Sequence, residues 1–340
     1  MERWRLAGGL IGVAMLACGS TSAGQPLAQG LSALKLVADA PLTGATTRFD
    51  YESLDPQTHL LFIAHLGDSM VTVVDTQERR VIADIPGIGH VHGVLAIPEL
   101  GRVYASATKT DEIVVIDEKT LKITARIPGG VYPDGMAYVP GVHKLYVSDE
   151  AGTTETVIDA AANRRIATLH LWSVVGNSQY DPVSKHVFVT AQTRDQLIEI
   201  DPVSDRIVAR HDLPGGKGPH GLLIDPEGRF AFVACEGNDT LLIFDMTTMQ
   251  LAGSFDVGKD PDVLAFDPGM RLLYVAGEQG IVSLFSVQNR VVKKIGEGFL
   301  AANAHVVAVD AQTHRAYFPL SDVSGHPALR IMEPAPISDH

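Results

Sequence analysis

Short apolar runs alternate with polar turn residues along most of the chain, and this pattern recurs every 42 or 43 residues. Each full repeat contains four runs rich in Val, Ile, Leu and aromatic residues, separated by turn pairs such as Asp-Pro, Pro-Gly and Gly-Asn. Four such runs predict a four-stranded antiparallel meander. One equivalent position near the start of each repeat is occupied by Asp50, His92, Asp134, Asn177, His220, Asp262 and His305.

Seven such repeats predict an all-β, seven-bladed β-propeller of four-stranded antiparallel blades. The seventh repeat stops after its third run, but the segment "LKLVADAP" at 34–41 matches the fourth runs of other repeats, such as "LKITARIP" at 121–128. The N-terminal strand is therefore expected to close the last blade, which leaves no open sheet edge between the chain ends. The prediction is a single domain over residues 33–334, followed by a tail at 335–340.

Two further positions recur with the repeat. A carboxylate ends the third run in most repeats and is expected to accept hydrogen bonds from turn N–H groups. These residues are Asp75, Asp117, Asp159, Asp201, Asp245 and Glu333, with Ser286 in the sixth repeat. Aromatic residues in the second run are expected to pack between adjacent blades: Phe62, Tyr104, Tyr146, Phe188, Phe232, Tyr274 and Tyr317.

The N-terminal segment has the pattern of an export signal. Arg3 and Arg5 precede an apolar run at 6–17 that is too short to span a bilayer. Two interpretations remain open: a signal peptide at 1–23 cut after Ala23, or a lipoprotein signal at 1–17 with Cys18 as the lipidation site. A tether would then run to about residue 32. Both predict a location in the periplasm or cell envelope, with membrane contact only through the possible lipid anchor.

Charge and cysteine content narrow the range of partners and compartments. The net charge of −13 and the lack of a basic stripe argue against a nucleic-acid partner. Only two cysteines occur, and Cys235 loses its one possible partner once Cys18 is cleaved away or lipidated. Cys235 ends an apolar run and is expected to fill the core. No haem-attachment motif, P-loop or dinucleotide-binding glycine pattern appears in the mature sequence.

The candidate chemistry lies at the first position of the predicted inner strands, which line the central channel of a propeller. His or Asp occupies six of the seven positions, and a ring of imidazoles and carboxylates suits Zn, Cu, Ni or Mn. The candidate metal ligands are His92, His220 and His305. The alternative is that these side chains cap backbone groups or bind channel water. The other ring members are candidate ligand-funnel residues: Asp50, Asp134, Asn177 and Asp262.

A second, outer set is expected to form the wall of a ligand funnel, where a few polar groups orient a bound molecule. It comprises Arg48, His90, Tyr132, Trp172, Lys217 and Lys259. The alternative for each is a solvated loop position. Glu150, Glu236 and Glu278 each follow a second strand and are expected to face the same side. Glu236 and Glu278 are the candidates for a general base.

The repeat resembles the YVTN-repeat β-propellers, a group that includes the exported YncE-like proteins. The resemblance covers about residues 33–334 and depends on "LYVSDE", "VFVTAQ", "FVACEGN" and "LYVAGE", followed by "VTVVDT", "IVVIDE" or "LLIFD". It implies an envelope binding or surface protein and provides no catalytic residues to transfer. Similar blades occur in streptogramin lyases, lactonases and nitrous-oxide reductase with its His-ligated copper centre, which share the central funnel as the site.

Three functions follow as hypotheses. The first is an exported, YncE-like binding protein whose central funnel holds a small ligand or a divalent metal ion. The second is a metal-dependent lyase or lactonase that uses His92, His220 and His305 as ligands and Glu236 or Glu278 as the base. The third is a protein–protein interaction scaffold that binds an envelope protein through the blade rims and has an inert channel.

Overall fold

A computed structural model describes residues 31–335, so the predicted export signal, the lipidation candidate Cys18 and the tail beyond 335 lie outside the described residues. The chain forms seven four-stranded antiparallel sheets. Innermost strands of successive sheets contact one another around a ring, which confirms the predicted seven-bladed β-propeller. None of the described helices is long and apolar enough to cross a membrane.

The first four blades follow the chain order from the inner to the outer strand. Blade 1 consists of β2 (Glu52–Asp55), β3 (Leu60–His65), β4 (Met70–Asp75) and β5 (Arg80–Pro86). Blade 2 consists of β6 (Val91–Ile97), β7 (Arg102–Ala107), β8 (Glu112–Asp117) and β9 (Lys122–Pro128). Blade 3 consists of β10 (Pro133–Val139), β11 (Lys144–Asp149), β12 (Thr154–Asp159) and β13 (Arg164–His170). Blade 4 consists of β14 (Val175–Asp181), β15 (His186–Ala191), β16 (Gln196–Asp201) and β17 (Arg206–Asp212).

Blades 5 and 6 repeat this arrangement, and the last blade combines the two ends of the described chain. Blade 5 consists of β18 (Pro219–Asp225), β19 (Phe230–Cys235), β20 (Thr240–Asp245) and β21 (Gln250–Asp256). Blade 6 consists of β22 (Pro261–Asp267), β23 (Leu272–Gly277), β24 (Ile281–Gln288) and β25 (Val291–Phe299). Blade 7 consists of β26 (Ala308–Asp310), β27 (Arg315–Val323), β28 (His326–Pro334) and β1 (Leu34–Pro41). Short 3₁₀ turns occur at Pro98–Leu100, Thr108–Thr110, Pro140–Val142, Gln192–Arg194 and Glu236–Asn238.

Strand β1 closes the ring as predicted. It pairs with β28 in an antiparallel register that runs from Leu34 opposite Pro334 to Pro41 opposite Ala328. The Arg330 guanidinium donates to both carboxylate oxygens of Asp39, at 2.8 and 2.7 Å. Because the fourth strand of this blade is β1, no hairpin turn links it to β28. The Ala335 N–H donates to the Ala33 carbonyl oxygen, and the Glu333 carboxylate accepts a hydrogen bond from Lys35 at 3.1 Å. The expectation that Glu333 caps a turn was therefore wrong.

The core is divided among the seven interfaces between blades. Seven apolar clusters are present, and each contains one of the predicted second-strand aromatic rings together with residues of two neighbouring blades. All seven rings are almost completely buried: Phe62, Tyr104, Tyr146, Phe188, Phe232, Tyr274 and Tyr317. This confirms that the recurring aromatic position packs between blades. Cys235 also lies in one of these clusters, and burial raises the pKa of its thiol to about 12, as expected of core filler.

Hydrogen bonds between blades supplement the apolar clusters. Basic side chains on outer strands donate to carbonyl groups that follow the outer strand of the preceding blade or lie at its end. On the opposite edge, carboxylates that end inner strands pair with basic side chains of the next blade. The first set comprises Arg126 to Gly87, Arg165 to Gly129, Arg210 to Leu171 and Lys294 to Asp256; the second comprises Asp181–Arg229, Asp225–Arg271 and Asp267–His314. None of these contacts was predicted from the sequence.

The turn carboxylates behave as predicted in five blades. The Asp75 carboxylate accepts hydrogen bonds from the N–H groups of Gln77 and Glu78, at 3.0 and 2.9 Å. Equivalent backbone N–H groups donate to Asp117, Asp159, Asp201 and Asp245. These carboxylates therefore fix the turns between the third and fourth strands.

A buried carboxylate between blades 3 and 4 predicts a pH-dependent stability. Glu155 is fully buried and accepts hydrogen bonds from Ser178 at 2.6 Å and Ser148 at 3.4 Å. Burial raises the pKa of Glu155 from 4.5 to about 8. The Glu155 carboxyl group therefore loses its proton at lower pH in the unfolded chain than in the folded protein. As the pH rises from 4.5 to about 8, the free energy of unfolding of the wild type is expected to fall by up to about 1.4 kcal/mol per pH unit.

The Glu155→Gln variant removes this titration and keeps groups that can bond to both serines. We expect its free energy of unfolding to exceed that of the wild type by about 3 kcal/mol at pH 8, with the excess shrinking toward pH 5. Urea unfolding at both pH values measures the difference. Glu227→Gln serves as the control because the Glu227 side chain is 84 % exposed. An excess that does not depend on pH would contradict the prediction.

Candidate functional site at the channel mouth

The ring residues sit where the inner strands begin, and the backbone there is irregular. In β6, β10, β14, β18 and β22 the pairing with the second strand shifts register across the ring position. Such bulges redirect side chains, and they are over-represented next to active sites. Glycine after the ring residue permits close packing: a Cβ on Gly93 would lie 2.1 Å from the Asp134 carbonyl oxygen, and one on Gly221 would lie 2.0 Å from that of Asp262.

Most of the ring is buried although all seven of its members are polar. The exposed fraction is 8 % or less for six of the seven: Asp50, Asp134, Asn177, His220, Asp262 and His305. His92 is half-buried. Buried polar groups are costly unless they find partners, so the contacts of each ring residue indicate its role.

His220 contacts two carboxylates and two neutral side chains. Its Nε2 atom lies 3.3 Å from Asp262 Oδ1, and its Nδ1 atom lies 3.9 Å from Glu236 Oε1. Gln192 Nε2 lies 2.8 Å from Nδ1, and the Tyr51 hydroxyl lies 3.3 Å from Nε2. Burial lowers the pKa of His220, but Asp262, Glu236 and Asp134 together raise it well above the usual value.

His305 is held with the lone pair of Nε2 on the side of Asp262. Its Nδ1–H donates to the Asn303 carbonyl oxygen at 2.9 Å, which places the proton of the neutral ring on Nδ1. The Nε2 atom is buried and has no hydrogen-bond partner, and it lies 3.9 Å from Asp262 Oδ2. The Nδ1 atom lies 3.8 Å from Glu278 Oε2. A metal-ligating histidine is typically oriented in this way, by a hydrogen bond from the ring nitrogen that does not bind the metal.

Arg48 joins the ring to the outer set. Its guanidinium donates to both oxygens of Glu278, at 2.9 and 2.6 Å, and lies 3.3 Å from Asp50 Oδ2. The predicted funnel residue Arg48 and the predicted base Glu278 are thus brought together at the mouth. A bidentate guanidinium contact fixes the carboxylate in one orientation.

The hydrogen bonds of His92 differ from those of His220 and His305. Its Nδ1–H donates to the His90 carbonyl oxygen at 2.9 Å, and its Nε2 atom accepts a hydrogen bond from the Tyr132 hydroxyl at 3.0 Å. Both ring nitrogens are therefore used, and the His90 side chain is exposed. The structure does not bring His92, His220 and His305 together as one three-histidine site.

The remaining outer residues lie on the surface around the mouth. Trp172 is 67 % exposed and stacks on His170 with ring centroids 5.3 Å apart. Lys217 pairs with Asp195 at 2.6 Å, and Lys259 is exposed. These contacts are those of solvated loop positions, which was the alternative interpretation of the outer set.

Carboxylates dominate the electrostatics of the mouth. Burial raises the pKa values of Asp50 and Asp134, and neighbouring carboxylates add to both shifts. Burial raises the pKa of Glu236 to about 7. Burial also acts to raise the pKa of Asp262, but His220, His305 and Arg48 lower it below the usual value. The mouth is therefore a site that cations stabilise.

Two groups of side chains have the spacing of metal ligands. One comprises His220, Glu236 and Asp262, and the other comprises Asp262, Glu278 and His305. Within each group one ligand atom from every residue lies within 4.8 Å of the others. Asp262 belongs to both groups, and its Oδ1 atom faces His220 Nε2 at 3.3 Å. Asp134 Oδ1 is buried without a hydrogen-bond partner.

Two residues that contact the ring, Tyr51 and Gln192, were not predicted from the sequence. The Tyr51 hydroxyl donates to Asn177 Oδ1 at 2.8 Å across the channel, and Gln192 reaches His220 and Glu150. Gln192 occupies the same repeat position as Glu150, Glu236 and Glu278, directly after the second strand, so the alignment of repeats was sufficient to find it. No recurring position marked Tyr51.

Comparison with known proteins establishes the fold and no more. No protein-family model and no curated protein sequence matches the chain. Solved structures are similar at low identity. Hydrazine synthase of Kuenenia stuttgartiensis superimposes with a TM-score of 0.73 at 15% identity and covers 87% of this chain and 97% of that one.

Two further solved structures have different functions. The WD40 repeats of RRP9 give a TM-score of 0.75 at 10% identity, over 91% of this chain and 100% of that chain. Virginiamycin B lyase from Staphylococcus aureus gives 0.73 at 13% identity, over 88% of this chain and 99% of that chain. Since one fold supports many functions, these similarities assign none to this chain. The resemblance to YVTN-repeat proteins stays a prediction.

Proposed function

We propose that this protein is a binding protein that holds a divalent metal ion at the mouth of its central channel, on Asp262, Glu278 and His305. One observation carries the proposal. The His305 Nε2 atom is buried and has no hydrogen-bond partner, and it lies 3.9 Å from Asp262 Oδ2 in a cluster whose ligand atoms lie within 4.8 Å of one another. An unpartnered buried polar atom costs free energy that a bound ion would recover.

The surrounding contacts suit a metal site. The Asn303 carbonyl oxygen accepts the Nδ1 proton of His305 and leaves the Nε2 lone pair free. Arg48 orients Glu278 and leaves the second lone pair of each carboxylate oxygen available for an ion. One imidazole with two carboxylates favours Zn²⁺ or Mn²⁺ over Cu²⁺ and Ni²⁺, which prefer more nitrogen ligands. Three protein ligands leave positions for water or a small ligand.

The His305→Ala variant tests the proposed ligand. We expect its affinity for Zn²⁺ or Mn²⁺ to fall by more than about 100-fold, because losing a supporting partner of a ligand alone typically costs about 10- to 100-fold. Isothermal titration calorimetry of metal-free protein measures the affinity. His92→Ala is the matched control, since it truncates the same residue type at the same ring position outside both groups. Equal affinity in both variants would refute the assignment of His305.

A metal-dependent lyase or lactonase is the second candidate. The open positions on a three-ligand ion favour it, because a substrate carbonyl can bind there next to the Glu236 carboxylate. A test is turnover of virginiamycin B and of simple lactones by metal-loaded protein, compared with the Glu236→Gln variant. Turnover that this variant loses would support an enzyme. No turnover by a fully loaded protein would leave the binding function.

We also propose that the protein is exported to the cell envelope, on the basis of the N-terminal pattern. Mass spectrometry of the protein from fractionated bacteria distinguishes the two export routes. A chain that begins at Gly24 indicates cleavage after Ala23, and a lipid-modified Cys18 indicates a lipoprotein. An intact N-terminal segment on protein in the cytoplasmic fraction would contradict export.

A further inference from the structure

The two oxygens of the Asp262 carboxylate face different histidines. Oδ1 lies 3.3 Å from His220 Nε2, and Oδ2 lies 3.9 Å from His305 Nε2. Asp262 lies on blade 6, between His220 on blade 5 and His305 on blade 7. A carboxylate with one oxygen directed to each side has the arrangement of a bridge between two metal ions.

Each side of this bridge offers the same pair of further ligands. Glu236 accompanies His220 on one side, and Glu278 accompanies His305 on the other. Glu236 and Glu278 occupy equivalent repeat positions directly after β19 and β23. The repeat has therefore placed two similar three-residue ligand sets at adjacent blades, with Asp262 common to both.

We infer that the channel mouth holds two divalent metal ions, Mn²⁺ or Zn²⁺, with the Asp262 carboxylate bridging them. One ion is bound by His305 and Glu278, and the other by His220 and Glu236. This inference rests on the proposed function and adds a second ion to it. Dinuclear sites of this kind in proteins have ions about 3.5–4 Å apart, which a single bridging carboxylate spans.

The charge of the mouth is compatible with two divalent ions. The fixed cation next to the ring is Arg48. Six carboxylates lie in or next to the ring: Asp50, Asp134, Glu150, Glu236, Asp262 and Glu278. Burial makes unbalanced charge costly, so compensation inside the cluster is required. With all six carboxylates ionised, two divalent ions and Arg48 leave a net charge of about −1, whereas one ion, Arg48 and a protonated His220 leave about −2.

The second ion requires the hydrogen bonds around His220 to rearrange: the Tyr51 hydroxyl has to leave Nε2, and the Gln192 amide nitrogen has to give up Glu150 and the Val175 carbonyl oxygen. To ligate through Nε2, His220 has to carry its proton on Nδ1, where Gln192 now places its amide nitrogen at 2.8 Å. Rotation of the Gln192 amide by half a turn presents its oxygen to that proton instead. Gln192 then holds His220 as the Asn303 carbonyl holds His305, and Gln192 is a positioning residue for the second ion.

Manganese loading tests the inference in the mature full-length protein. Metal-free wild-type protein dialysed against Mn²⁺ is expected to hold two ions per chain and to show the broadened electron paramagnetic resonance spectrum of an exchange-coupled pair. The Glu236→Gln variant is expected to hold one ion and to show the six-line spectrum of isolated Mn²⁺. Glu227→Gln is the control, because the Glu227 side chain is 84 % exposed and belongs to neither group, and it is expected to retain both ions.

The outcomes separate the inference from the proposed function. One ion per wild-type chain, unchanged in Glu236→Gln, would overturn the second site and leave the proposed function intact. No bound ion in folded wild-type protein would overturn both. Two ions that persist in Glu236→Gln would overturn the assignment of Glu236. Circular dichroism of each variant shows that it retains the β-fold, and Gln192→Ala, which leaves all ligands in place, is expected to weaken binding of the second ion alone.

Discussion

A chain that begins at residue 43, and therefore lacks β1, is expected to lose the closed propeller. Strand β1 supplies the outer strand of blade 7 and pairs with β28 over most of its length. Its removal takes away buried Leu34 and Ala40, the Arg330–Asp39 ion pair and the backbone hydrogen bonds of one full strand. It also exposes β28 as a new sheet edge, which promotes association between chains.

The expected loss is large relative to the stability of a domain. Burial of one leucine contributes about 2 kcal/mol, and each net backbone hydrogen bond contributes about 1 kcal/mol. We therefore expect the melting temperature to fall by at least about 10 °C, or the shortened protein to aggregate during purification. Differential scanning calorimetry and size-exclusion chromatography measure the two results. A chain that begins at residue 31 keeps β1 and is the control. Equal melting temperatures would show that β1 does not close the ring.

The Asp262→Asn variant is expected to lose metal-dependent stabilisation. Because Asp262 belongs to both ligand groups, its substitution removes a charged ligand from each one. At a free metal concentration of 100 times Kd, a single bound ion stabilises the wild-type fold by about 2.7 kcal/mol. We expect Mn²⁺ or Zn²⁺ to raise the melting temperature of the wild type by about 5 °C and to leave that of Asp262→Asn unchanged.

The metal-free proteins supply the control for this prediction. Asparagine has the shape of aspartate, and the substitution removes one charge from a crowded carboxylate cluster while it breaks the pair with His220. These effects oppose each other, so the metal-free melting temperatures are expected to differ by less than about 3 °C. A metal-induced rise of equal size in both proteins would place the stabilising ion elsewhere.

The fold could be predicted almost completely from the sequence. The repeat places equivalent residues at a constant spacing, so positions such as Phe232 and Asp245 reveal their roles through their counterparts in other blades. The closing strand was predictable because "LKLVADAP" matches other fourth strands. Glu333 was assigned incorrectly because its repeat position implies a turn after the third strand, whereas in blade 7 the fourth strand comes from the other end of the chain and no such turn exists.

The site could be predicted only as a ring. Repeat position indicates that His92, His220 and His305 occupy the mouth, but it does not indicate which way each imidazole points. That choice depends on non-repeating neighbours: Tyr132 occupies the free nitrogen of His92, whereas Nε2 of His305 has no partner. Arg48, just before blade 1, likewise reaches Glu278 of blade 6, and no local pattern encodes that contact. Side-chain geometry was needed to divide the ring into ligands and hydrogen-bonding residues.

The most direct test of the account is the metal content of the mature protein. The protein is purified from the envelope without a histidine tag, freed of metal with a chelator, dialysed against Mn²⁺ or Zn²⁺, and analysed by inductively coupled plasma mass spectrometry. The account predicts bound metal at one or more ions per wild-type chain, retained in His92→Ala and absent from Asp262→Asn. Folded wild-type protein that remains metal-free would contradict it, and the buried carboxylates and histidines of the ring would then serve the architecture of the channel alone.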